Sequence, residues 1–147
     1  MSVDAVRSVN AAIIAGWNAQ NADAVLAQFA DSIVWTEAGA EPLRGKDACR
    51  AYLAGWFTAF PDFSVSRVNE VITEDTIAVE VRFSGTNAGP LELAPGAPAI
   101  PATGSRVDEV WGAYFLRVND GKAVEISLYP DNMGMVTQLG LMPDPAA

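Results

Sequence analysis

The feature that most constrains this chain is a pair of alternating segments around one turn. Residues 106–118 read RVDEVWGAYFLRV and residues 122–129 read KAVEISLY, with Asn119-Asp120-Gly121 between them. Apolar residues at every second position mark strands with one buried face. An Asp-Gly pair supplies the positive φ angles that a tight hairpin needs. A second pair, FSVSRVNEVITE at 63–74 and TIAVEVRFSGT at 76–86, meets at Glu74-Asp75. In the latter, Ile77, Val79, Val81 and Phe83 share one face, opposite Ala78, Glu80, Arg82 and Ser84. The second half of the chain is therefore expected to be an antiparallel sheet.

The first half reads differently. Val6, Val9, Ile13, Ile14 and Trp17 recur at helical spacing, with Asp4 as the expected cap. NAQNAD at 18–23 breaks this helix, and Val25, Leu26 and Phe29 mark a short second one. SIVWTE at 32–37 reads as a strand. Residues 46–60 form a third helix carrying Leu53, Trp56, Phe57 and Phe60 on one face, ended by Pro61. A Pro- and Gly-rich loop fills 87–105, and a last helical turn runs from Asn132 to Leu139, stopping at Gly140. Helices followed by strands imply an α+β fold, a curled antiparallel sheet wrapped around the N-terminal helices. Such a sheet leaves a cone with an internal apolar pocket, and residues 1–147 are expected to form one domain. The tryptophans at 17, 35, 56 and 111 fall one in each wall, either as core or facing a ligand.

Composition narrows the chemistry. A net charge of −9 argues against nucleic-acid or anionic-membrane surfaces, which need clustered Lys and Arg. With no histidine, Ser-His-Asp and Cys-His catalysis and the commonest metal ligand are removed. The single cysteine, Cys49, reads as structural and forms no internal disulfide. Without a signal-like N-terminus or a membrane-length apolar run, a cytoplasmic location is the expectation. Proton transfer near neutral pH must then fall to Asp, Glu, Tyr, Lys or the thiol.

The order of these elements resembles the cone-shaped superfamily of nuclear transport factor two, ketosteroid isomerase and limonene epoxide hydrolase. Within it the chain is most similar to the SnoaL-like polyketide cyclases. The resemblance rests on FAD at 29–31, EPLRG at 41–45, AFPDF at 59–63, FSGTNAGPL at 83–91, IPATG at 100–104, LRVNDGK at 116–122 and YPDNMGMVTQLG at 129–140. It implies a cofactor-free enzyme performing aldol-type ring closure or enolisation on an apolar, polyketide-like or aromatic carbonyl compound. It also implies Asp131 as the general acid/base and puts Tyr114 where the family has a histidine, as a donor to a developing enolate oxygen. Trp17, Trp35, Trp56, Phe60, Trp111, Tyr129 and Met133 are the expected substrate-binding residues. Relatives of this fold imply a homodimer through the outer sheet face.

The residues also support plainer readings. Asp131, after a proline and before a helix, is a good N-cap. Tyr114 reads equally as a core tyrosine with its hydroxyl at the surface. Glu37 is expected to be a solvated strand end, although it lies one place from the position, Thr36, of the ketosteroid isomerase carboxylate. Asp62 is expected to fix the turn after the third helix. The Arg-x-Asp of limonene epoxide hydrolase is reversed here as Glu80-Val81-Arg82, and the histidines of scytalone dehydratase are absent. The alternatives are a non-catalytic small-molecule binding module of the same fold and an epoxide hydrolase or isomerase-type enzyme.

Overall fold

A computed structural model of the protein describes residues 2–142; the ends of the 1–147 span lie outside the described residues. Three helices come first in the chain: α1 (Val3–Asn18), α2 (Ala22–Leu26) and α3 (Lys46–Ala59). Strand β1 (Phe29–Glu37) and the two-residue β2 (Leu43–Arg44) separate α2 from α3. Then follow β3 (Ser64–Ile72), β4 (Thr76–Thr86), β5 (Arg106–Asn119), β6 (Lys122–Pro130) and the short α4 (Asn132–Gln138). None of the described helices is long and apolar enough to cross a membrane.

The six strands make one sheet in the order β2-β1-β6-β5-β4-β3. The two expected hairpins are present, and in the β5–β6 turn Asp120 and Gly121 take φ of 50° and 74°. One pairing departs from a wholly antiparallel sheet: β1 runs parallel to β6, with Trp35 beside Ile126 and Glu37 beside Leu128. This brings a strand from the helical half of the chain against the last strand. Register shifts near Arg67–Asn69 in β3 and near Gly85 in β4 bend the sheet, as bulges do. The curled, unclosed sheet wraps the helices.

Alternation sorts the sheet's faces. Ile77, Val79 and Val81 of β4 and Tyr114, Leu116 and Val118 of β5 are buried on the concave side. Against them α1 packs Val6, Val9, Ile13 and Trp17. Burying side chains of this size contributes roughly 1.5–3 kcal/mol each, which makes this face the main source of stability. Ser2, not Asp4, caps α1, its hydroxyl accepting from Ala5 N at 3.1 Å. Asp4 sits inside the first turn and pairs with Arg7 instead. At the other end of α1, the Asn18 amide donates to Val65 O and accepts from Val65 N at 2.8 and 2.7 Å, fixing the helix to β3.

A second core cluster holds the 87–105 loop in place. Phe60, Phe83, Leu91, Val107, Val110, Met135 and Leu139 pack together there. Asn87 is fully buried; its Oδ1 accepts from Thr103 N at 2.8 Å and its amide donates to Gly89 O at 2.9 Å. A side chain at Gly89 would come within 2.7 Å of Thr58 O, so the loop approaches the end of α3 only with glycine there. Asp62 fixes the turn after α3, accepting from Thr86 N at 2.7 Å.

Candidate active site

The concave face opens into a pocket of about 750 Å³, counting its mouth. Its wall is almost wholly apolar, and it takes in side chains from α1, β1, α3, β3, β4, β5, β6, α4 and the 87–105 loop. The geometry of β1 decides which acid enters it. Ile33, Trp35 and Glu37 alternate inward along β1, and all three are buried. Tyr52 and Trp56 come from α3 four residues apart, hence on one helix face.

Glu37 is the carboxyl in the pocket wall, 6% exposed. Trp35 Nε1 donates to its Oε1 at 3.1 Å, and the Tyr52 hydroxyl donates to the same oxygen at 3.1 Å. Removal from water pushes the Glu37 pKa above the ordinary carboxylate value, and the two donors only partly offset this. Burial likewise raises the Tyr52 pKa, with the Glu37 charge adding to it and the nearby Trp56 indole opposing it. Tyr52 therefore stays protonated and serves Glu37 as a donor. A carboxyl with a raised pKa in an apolar chamber is a stronger base than one in water and can both take and return a proton. The expectation that Glu37 is a solvated strand end is overturned by strand parity.

The expected site residues divide. Trp17, Trp35 and Trp56 line the pocket. Trp111 borders it, but is 63% exposed and carries the Arg82 guanidinium 4.3 Å from its ring centroid. Phe60, Tyr129 and Met133 lie elsewhere. Phe60 is fully buried in the second core, where it stacks on Trp56. Tyr129 is 55% exposed, because alternation along β6 turns Leu128 and Pro130 inward and Tyr129 outward against Phe115. Met133 is exposed on α4, whereas Met135 faces the pocket.

Tyr114 lines the pocket with its ring and is 1% exposed. Its hydroxyl points neither to solvent nor to an open ligand position, because it donates to the buried Asn10 side chain of α1. Burial raises its pKa, so the phenol is neutral and its proton is engaged. Asp131 is exposed and caps α4, its Oδ1 accepting from Gly134 N at 2.9 Å. Pro130 and Met135 on either side of it line the pocket, but the Asp131 carboxylate does not. Cys49 is fully buried, and burial pushes its thiol up to about 11, as suits a structural residue.

A curled α+β sheet around helices thus encloses an apolar pocket with the buried Glu37 carboxyl in its wall. The sequence profile of the SnoaL-like domain matches residues 10–126, and the chain belongs to that family. A candidate SnoaL-like polyketide cyclase from Jannaschia sp. CCS1 superposes with a TM-score of 0.81 at 23% identity, covering 97% of this chain and 95% of that one. IdmH of Streptomyces antibioticus, a candidate polyketide cyclase, gives 0.73 at 23% identity over 91% and 97%. An LEH-like epoxide hydrolase of M. tuberculosis gives 0.69 at 19% identity over 94% and 90%. At these identities the structural likeness carries the fold alone. No curated protein matches the chain.

Proposed function

We propose that this protein is an enzyme that moves a proton on an apolar carbonyl compound, with Glu37 as the general acid/base. The observation that carries the reading is the Glu37 carboxyl, buried in the pocket wall with a raised pKa and oriented by Trp35 and Tyr52. Glu37 takes the proton from a carbon beside the carbonyl, giving an enolate. The enolate then either closes a ring by attacking a second carbonyl of the same compound, whose alkoxide takes the proton back from Glu37, or recovers that proton at another position. Desolvation of the carboxylate strengthens it as a base, and the dry wall shields the enolate from water. The cyclase names carried by two structural relatives support ring closure as the outcome. The reading calls on no cofactor.

Enolisation can be followed without the natural substrate, as deuterium exchange at the α-carbon of 2-indanone in D₂O. The wild-type protein is expected to accelerate this exchange, and Glu37→Gln to lower the acceleration by on the order of 10² or more. Exchange at the uncatalysed rate in the wild type, with 2-indanone bound, marks a binding module instead.

For the convex face we propose a second copy of this chain as partner. Val71, Trp111, Phe115 and Tyr129 are exposed there. Arg82 pairs with Glu80 and Arg117 with Glu125, so this face is balanced in a chain of net charge −9. Two copies can approach through it without the repulsion that acts elsewhere. Light scattering at micromolar concentration is expected to give twice the chain mass, and Phe115→Glu the single mass. A monomer for the wild type rules this out.

A further inference from the structure

Gly112 lies in the middle of β5, between the buried Val110 and Tyr114, and shares their concave face. Glycine weakens the interior of a strand, and the local reasons for tolerating one are missing here. The backbone does not take a positive φ at Gly112. The pairing of β5 with β4 keeps an even register from Arg117 to Val110, so no bulge falls on it. Packing does not close the position either. A side chain at Gly16 would come within 2.7 Å of Val25, and one at Gly89 as close to Thr58. A Cβ at Gly112 would meet Val81 Cγ2 alone within 4 Å, at 3.4 Å, an ordinary contact. What that Cβ would enter is the pocket, which Gly112 lines together with its cross-strand neighbours Val81 and Pro130. A strand glycine without a bulge or bend marks a place where something approaches the bare backbone closely.

We infer that Gly112 is a specificity-determining residue: the space left by its missing side chain is filled by the bound compound, through the end remote from the carbon that Glu37 serves. This deepens the proposed function and rests on it for the identity of the pocket as the substrate site. Register sets how far apart the two residues lie. Glu37 is beside Leu128 and Leu128 is opposite Tyr114, so Glu37 and Tyr114 share one row across the sheet, two strand spacings apart. Gly112 is one inward position further along β5. Strand spacings of about 4.8 Å and a rise of about 3.4 Å per residue put about 12 Å between the two Cα atoms on a flat sheet, and the curl shortens this. The Glu37 side chain spans part of the distance. A single five-membered ring against the carboxyl does not reach Gly112, whereas a second ring fused to it does. The floor there is bare peptide between Val81 and Pro130, which takes a flat ring face on. The compound described is a fused-ring ketone with a planar far ring, and a side chain at residue 112 would stand where that ring lies.

The test uses the full chain and two ketones that share a reacting end. 2-Indanone carries the far ring; cyclopentanone lacks it. Affinities are read from ¹⁵N–¹H titrations of the wild type, Gly112→Ala and Gly112→Val, and stabilities from urea midpoints. Gly112→Ala is expected to weaken 2-indanone binding about tenfold, the scale of one methyl group misplaced in an apolar pocket, and Gly112→Val to weaken it further. Cyclopentanone binding should change by no more than about twofold in either variant. The urea midpoint of Gly112→Ala should lie at or above that of the wild type, since alanine suits a strand interior better than glycine. A midpoint below the wild type makes the glycine a requirement of the fold and overturns the inference. Equal weakening of both ketones overturns it too, because the substitution then deforms the whole pocket. If Gly112→Val does not fold, Gly112→Ala decides alone. A wild-type chain that binds neither ketone also overturns it. Binding alone is read, so equal affinity of the wild type and Gly112→Ala for 2-indanone removes the role of Gly112 and leaves the Glu37 reading standing. Failure of Glu37→Gln to alter exchange leaves the binding result standing.

Discussion

Two carboxylates at strand ends have opposite fates in this molecule. Glu37 ends β1 and turns into the pocket, where two donors hold it and lack of water raises its pKa. Asp131 follows β6 and turns to solvent, where its oxygen satisfies the first turn of α4. Both follow an aromatic residue two places earlier, Trp35 or Tyr129. The aromatic before Glu37 is buried and the one before Asp131 is exposed. What separates the two acids is the face of the sheet on which each strand leaves them, and that face sets the solvent each acid meets.

The largest expected effect breaks the pair apart. Glu37→Gln should lose the acceleration of 2-indanone exchange on the order of 10² or more, whereas Asp131→Asn, which can still cap, should stay within about twofold. The reverse outcome would return the acid/base role to Asp131.

A smaller effect sharpens the account of Glu37. As a base it must be ionised, so exchange should rise with pH through its raised pKa. The Tyr52 hydroxyl opposes that rise in pKa. Tyr52→Phe should therefore move the acid limb of the pH–rate profile to higher pH, and a limb that stays in place would exclude Tyr52 as the group that tunes Glu37.

Folding stability carries the same signature. Between the unfolded value of 4.5 and the raised folded value, the native state holds the Glu37 proton more tightly than the unfolded chain. Wild-type stability then falls as pH rises through that window. Glu37→Gln has no such proton, so its stability relative to wild type should increase with pH there. Parallel denaturant midpoints across the window would contradict the burial of a titrating carboxyl.

The smallest effect belongs to the cap. Asp131→Ala should cost about 1 kcal/mol in urea unfolding and leave the pH–rate profile unchanged. Loss of exchange in a folded Asp131→Ala protein would tie α4 to the chemistry.

Much of the fold was legible because it is written locally. The β5–β6 hairpin follows from alternation around Asn119-Asp120-Gly121, and α1 from the spacing of Val6, Val9, Ile13 and Trp17. The parallel β1–β6 pairing was not legible, since it joins segments about 90 residues apart with no local mark on either. In the site, the three pocket tryptophans were legible as aromatic bulk at inward positions. Glu37 was missed although its signal was present: Ile33, Trp35 and Glu37 keep strict alternation to the last residue of β1. Tyr129 and Met133 were expected to bind the substrate, but period two and the turn of α4 point them outward. Whether the Tyr114 hydroxyl was free depended on Asn10, more than a hundred residues away.

The Tyr114–Asn10 bond joins the middle strand of the sheet to α1 behind the Trp17 ring, which packs edge-on against Tyr114 at 5.4 Å. This fastening pins the helix and the strand that carry Trp17 and Tyr114 into the pocket wall. The two cannot part without leaving a buried polar pair unsatisfied. At this point the outline of the pocket and the seating of α1 on the sheet are one and the same contact, so a change that loosens either alters both.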